Sequence, residues 1–293
     1  MSYPKNRISN RISRLTLSLL AGLVVMGMQS AQAHETKTIT GFKMPESVVE
    51  AKDGRLFISE IGEFGKDGDG QVSVVEKDGT VKPFATGMND PKGLAFIGKD
   101  LYVADKTQVL KVSPDGKWTV YADASAFEAT PQFLNDLVAD PLGNLYVSDT
   151  GDMKGTGGNI YRITKDGKAH LVIDSKKDAR ILGPNGLLVD KTGHVLLEVD
   201  FISGILYSYD MKTGTLTQLA EGFGGGDGLV QGAKDTLYVS DWANGKVFSV
   251  KKGEVTLIKD GFKASADIAL SKDGKYLLVP DMKAGELVYL PIH

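Results

Sequence analysis

The chain of 293 residues holds 34 Lys and Arg, 37 Asp and Glu, four His and no Cys, with a formal net charge of −3. An acidic chain without a basic run is not built to bind nucleic acid or an anionic membrane surface. The lack of cysteine excludes a disulfide scaffold, a thiol nucleophile and a thiolate metal site, so the fold must stand on its core and its strand pairing.

The first element reads as a leader. Met1 to Arg14 carries Lys5, Arg7, Arg11 and Arg14 and no acid; an apolar run from Leu15 to Met28 follows, and Ala31 and Ala33 stand where the −3 and −1 residues of a cleavage site belong. This is the pattern of a secretory signal peptide. Its apolar run falls short of the roughly 20 residues a membrane-spanning helix needs. Residues 1–33 are therefore predicted to be a signal peptide, and 34–293 a single mature domain without a membrane span, periplasmic or secreted after cleavage near Ala33. Removing the leader takes away four bases and no acid, which moves the net charge to −7.

Thr36 to Thr40 is a short alternating strand with no repeat unit of its own. Behind it one pattern recurs six times, an apolar strand closed by an acid. The copies are Leu56 to Glu60, Leu101 to Asp105, Leu145 to Asp149, Leu196 to Asp200, Leu237 to Asp241 and Leu277 to Asp281, with the acids 40 to 51 residues apart. That is the period of a four-stranded propeller blade. Third strands follow, as in Gln108 to Val112, and Asp-Gly pairs at 78–79, 115–116 and 166–167 mark hairpins into a fourth. The last unit ends after Leu287 to Leu290 without a fourth strand. The sequence thus predicts an all-β, six-bladed propeller in which the N-terminal strand completes the final blade and covers its edge.

In such a ring the turn entering each innermost strand opens on the central channel. Aligned over the six units, that position holds Glu46, Lys92, Asn135, Asn185, Asp227 and Asp267. Asn and Asp in turns also serve simply to satisfy backbone groups; six polar residues in register where blades converge are what a pocket requires. Carboxylates crowded in a channel need a compensating cation. Oxygen ligands from Glu, Asp and Asn suit a hard one, Ca²⁺ first, with Mg²⁺ or Mn²⁺ as alternatives. The four histidines, at 34, 170, 194 and 293, all miss these turns, which argues against a Ser-His-Asp triad or a three-histidine zinc site. Lys66 to Gly70 looks faintly like a calcium loop but lacks the closing Glu, and reads as a solvated hairpin tip.

The turns Pro45-Glu46, Asn135-Asp136, Pro184-Asn185-Gly186 and Asp227-Gly228, each from a different unit, resemble those of the gluconolactonase/regucalcin family of calcium-dependent six-bladed propellers; the strand repeat is equally similar to NHL-type propellers. The resemblance implies Glu46, Asn185 and Asp227 as metal ligands, Asp227 also as general base, and Asn135 as a contact to substrate or metal-bound water. Two departures concern the substrate. Phe133 stands where sugar-lactone hydrolases of the family carry Arg, and residues 151–158 lack the Glu they place there.

The function expected is a metal-dependent hydrolysis of a small-molecule lactone or ester. The cation polarises the carbonyl, Asp227 takes a proton from water and Lys92 assists at the developing charge. Phe133 makes one wall apolar, so a lactone with an apolar or aromatic body is expected to outrank gluconolactone. The alternative is a non-enzymatic binding module, with structural calcium, that presents its loops to a protein or glycan partner. The segment between Asp149 and Asn159 discriminates: over the funnel it favours an enzyme, away from it a binding module.

Overall fold

The strands that carry the recurring acid are buried along most or all of their length, as Leu145 to Asp149 shows. A strand reads this way only when its sheet is covered on both faces. Alternation then splits its side chains: Leu145 and Val147 join an apolar cluster with blade 2, and Tyr146 joins one with blade 4. The same division holds between every pair of neighbouring blades, including the sixth and the first. At about 1.5–3 kcal/mol for each fully buried large side chain, these inter-blade layers are the core.

The computed structural model describes residue 1 and residues 35–292. Apart from Met1, the predicted signal peptide lies outside the described residues, and the unit beginning at His34 is a compact body by itself. Among the described residues six four-stranded antiparallel sheets form, and no helix is long and apolar enough to cross a membrane. Blades 1 to 5 have inner strands Pro45–Glu50, Pro91–Ile97, Leu134–Ala139, Pro184–Val189 and Gly226–Gln231. Blade 6 combines Ala269–Leu270, Tyr276–Asp281 and Glu286–Pro291 with the N-terminal strand Lys37–Thr40, which pairs Ile39 with Leu287. The six-bladed ring and its closure by the first strand match the reading of the sequence.

The recurring acids turn out to be struts. Asp200 accepts backbone N–H bonds from Leu182 and Gly183, in the loop entering its blade, and from Ile202 and Ser203 in the loop leaving its own strand. Asp149 does the same for Gln132, Phe133 and Gly151. Asp281 serves Lys263, Ala264 and Ala284. Buried amide groups need such partners, so in these blades the acid fixes the two loops at the mouth of the ring, while Glu60 and Asp105 hold backbone N–H groups of the entering loop alone.

Candidate functional site

Five of the six axial residues lie within strands, not in the turns before them; Asp267 stands just before its strand. Glu46, Lys92, Asn135, Asn185 and Asp227 are each the second residue of an inner strand. There the pairing slips by one residue in all five blades, as between Pro45↔Glu60 and Val48↔Ile58. A bulge of this kind re-aims a side chain. Serines of the second strands steady it: Ser59, Ser148 and Ser240 Oγ accept the N–H of Ser47, Asp136 and Gly228, the residues just after the axial ones. Inner strands also approach closely here. A Cβ on Gly186 would stand 2.1 Å from the Asp227 carbonyl oxygen, and one on Gly228 2.3 Å from the Ile268 nitrogen, so no larger residue is accommodated.

Five of the six axial residues, all but Asp267, line one cavity of about 280 Å³. All five are buried, Lys92 with only 2% of its surface exposed. Asp267 departs from the expectation of a six-membered convergence. It ties the ring shut: its N–H donates to the Glu46 carbonyl at 2.9 Å, and Ser47 Oγ donates to its carboxylate. Asp136 makes a similar link, accepting the Leu187 N–H of the next blade at 2.5 Å. A larger cleft of about 700 Å³ lies beneath blades 1 to 3, against the turns at the other ends of the strands. None of the buried side-chain atoms that lack a hydrogen bond lines it.

The small cavity is different. Glu46 Oε2, Asp227 Oδ1 and Asn185 Nδ2 are buried there without a hydrogen-bond partner. Orphan polar atoms of this kind are costly, and rotating the Asn185 amide would present its oxygen in place of the nitrogen. Burial first, then the charge of Asp227, pushes the Glu46 carboxyl well above the usual carboxylate range, while Lys92 opposes the shift. Asp227 is raised likewise, by burial and then by Asp267 and Asp136. Burial pushes Asp136 up to about 6. Lys92 is lowered by burial, against the attraction of Glu46. Among the described residues no three Asp, Glu or His side chains gather as a metal site by themselves. A cation here would depend on the Asn185 amide beside Glu46 and Asp227.

Two side chains have defined poses. Asn135 Nδ2 donates to Thr150 Oγ1, whose hydroxyl in turn donates to the Pro184 carbonyl. This leaves the Asn135 carbonyl oxygen to offer a ligand. Lys92 Nζ donates to the Asp90 carbonyl at 3.1 Å and sits 4.2 Å from the centre of the Phe133 ring. Phe133 lines the cavity, and the 150–158 loop reaches it through Met153. The sequence reading missed the rest of the wall. Ile61, Phe201, Trp242 and Met282 each follow a recurring acid and all line the cavity. They form a column visible in the sequence, one residue beyond the repeat that was aligned.

A family model described as the SMP-30/Gluconolactonase/LRE-like region matches residues 91–253, just over half of the chain. No curated protein matches the sequence. Among solved structures, one described as a candidate gluconolactonase superposes with a TM-score of 0.72 at 19% identity, covering 89% of this chain and 92% of its own. Virginiamycin B lyase from Staphylococcus aureus superposes with a TM-score of 0.62 at 13% identity, over 88% of this chain and 99% of its own. A chain of the nidogen/laminin complex reaches 0.59 at 19% identity, over 72% and 76%. At such identities the likeness is one of fold.

Proposed function

The chain belongs to the SMP-30/gluconolactonase/LRE-like family, and from that premise we propose that it is an exported, metal-dependent hydrolase of lactones or related esters. The observation that carries the reading is the set of buried, unpartnered atoms on Glu46, Asn185 and Asp227 in one cavity. Two carboxylates and an amide oxygen suit a hard cation, Ca²⁺ before Mg²⁺ or Mn²⁺. When bound, that cation supplies Lewis-acid polarisation of the substrate carbonyl.

The remaining work falls to the protein. Asp227, its proton affinity raised by burial and by neighbouring carboxylates, takes a proton from the attacking water. Lys92 has donors to spare beyond the Asp90 carbonyl and can stabilise the oxyanion. Asn135, its amide fixed through Thr150, orients the substrate with its carbonyl oxygen. The Met153 loop borders the cavity, as an enzyme's mouth requires and a remote display loop does not. A lyase chemistry that leans on histidine finds no support, because no histidine among the described residues lines the cavity.

The test is a panel of lactones and esters assayed on chelator-stripped protein with and without Ca²⁺. Hydrolysis that appears with calcium and is lost in Asp227→Asn supports the reading. Calcium binding without turnover of any member would transfer the site to the binding-module alternative.

A further inference from the structure

The cavity joins two chemically opposite zones. Its floor is Glu46, Lys92, Asn135, Asn185 and Asp227, while the rest of its lining is apolar. Four wall residues occupy one position in the ring, directly after the recurring acids: Ile61, Phe201, Trp242 and Met282. This collar is packed in advance. Ile61 and Met282 are buried together with Ala264 and Ala266, and Trp242 lies against them. Phe201 and Trp242 have ring centres 6.1 Å apart. The Trp242 indole N–H points at Met282 Sδ, 3.4 Å away, so the collar's own donor is spent within it.

The apolar lining continues outward on one side. The 61–69 and 150–158 loops flank blade 2, whose corresponding turn is only Lys106-Thr107. Phe64 and Met153, one on each long loop, line the cavity and yet remain 47% and 38% exposed. Large exposed apolar side chains beside a concave site are a mark of ligand contact.

We propose that this collar selects a lactone or ester with a compact apolar body of one or two fused rings, and that Phe201, Trp242 and Met282 are the residues that set the preference. The inference rests on the hydrolase reading for the reacting group, but not for the body that the collar holds. A polyhydroxylated lactone would bury its hydroxyls against a wall that offers them no partner, which is a strong basis for rejection. A cavity near the small end of ordinary ligand sites admits one or two rings and little more.

Trp242 provides a readout independent of turnover. The chain has two tryptophans; the other, Trp118, belongs to the outer strand of blade 2, and Trp118→Phe leaves Trp242 as the sole emitter. Calcium-supplemented protein is titrated with two non-hydrolysable lactams, the saturated bicyclic octahydro-2-quinolinone and the polyol gluconolactam. A saturable shift of Trp242 emission with the bicyclic lactam, at least tenfold tighter than with gluconolactam, is expected. Phe201→Ser and Met282→Ser should each weaken that binding about tenfold. Equal or tighter binding of gluconolactam, or no Trp242 response to the bicyclic lactam, would overturn the proposal. In the catalytic arm kcat/KM for dihydrocoumarin is expected to exceed that for gluconolactone at least tenfold. Turnover that favours gluconolactone removes the collar and spares the hydrolase. Binding of the bicyclic lactam without turnover of any lactone upholds the collar and removes the hydrolase.

Discussion

Two sets of polar residues repeat with the blades, and both are buried, yet they stand in opposite states. Of the acids that close the second strands, Asp149, Asp200 and Asp281 spend their oxygens on the backbone N–H groups of the two loops beside them. A few residues away, Glu46, Asn185 and Asp227 carry buried atoms with no partner at all. Periodicity and burial are the same in both; only hydrogen-bond satisfaction differs. A repeating buried acid is therefore a sign of blade construction, and the functional signal lies in which members of a repeat are left unsatisfied.

The largest effect should come from breaking a strut. Asp200→Ala leaves the N–H groups of Leu182, Gly183, Ile202 and Ser203 without their acceptor. Each unsatisfied buried group costs about 1–3 kcal/mol, some of it recovered by water, so a loss of about 3–5 kcal/mol in chemical denaturation is expected. A loss below about 1 kcal/mol would show that the loops do not depend on the acid.

The axial residues should respond in the opposite sense. Replacing Asp227 by Asn removes a crowded acid, so the metal-free protein should melt no lower than wild type. Calcium at a hundred times its Kd should stabilise wild type by about 2.7 kcal/mol, and Asn185→Ala combined with Asp227→Ala should abolish that gain. The pH dependence follows from the raised carboxyls. A folded-state pKa above the unfolded one gives stability that is complete below the unfolded value, near 4, and is lost as pH rises through the folded value. Asp136, pushed up to about 6, confines its share to about pH 4–6. Metal-free protein should therefore weaken as pH rises, while the calcium-induced shift grows. A calcium shift that is equal at pH 5 and pH 8 would contradict carboxylate ligation.

Much of this contrast was legible in the sequence, but unevenly. The recurring acid is local, four residues beyond the leucine that opens its strand, so Leu145 to Asp149 and its copies stand out unaided. Closure by Lys37–Thr40 was legible because the sixth unit lacked a fourth strand. The axial residues could be aligned from register, but the bulge that aims them is a relation between two strands and leaves no local mark. Asp267 was misjudged for the same reason, since its partner Ser47 lies 220 residues away in sequence. The apolar column Ile61, Phe201, Trp242 and Met282 was present but mute. Whether the first residue of a loop faces the axis or the solvent is set by how the blades pack.

One buried acid belongs to neither set. Glu198 is fully buried, and neither of its carboxyl oxygens has a hydrogen-bond partner, yet it does not line the cavity. It lies in the second strand of blade 4, opposite Leu187 and Tyr207, where blades 2, 3 and 5 carry Val103, Val147 and Val239. Burial, with the charge of Asp200 added, raises its pKa well above the ordinary value. Burial thus favours the protonated form of its carboxyl, and the unfolded chain, which ionises near pH 4.3, gains on the native state as pH rises. Glu198→Val restores the residue type of the other blades at nearly equal volume. At pH 8 it should stabilise the protein by about 1 kcal/mol, as apolar replacement of a buried polar group often does. The gain should shrink toward pH 4, where the acid is neutral in both states. Denaturation of both proteins across that range decides the matter. A loss of stability with no pH dependence would mean that Glu198 is satisfied after all, by a partner within the blade interface, and that an orphan atom outside the cavity is no exception to the rule the two rings suggest.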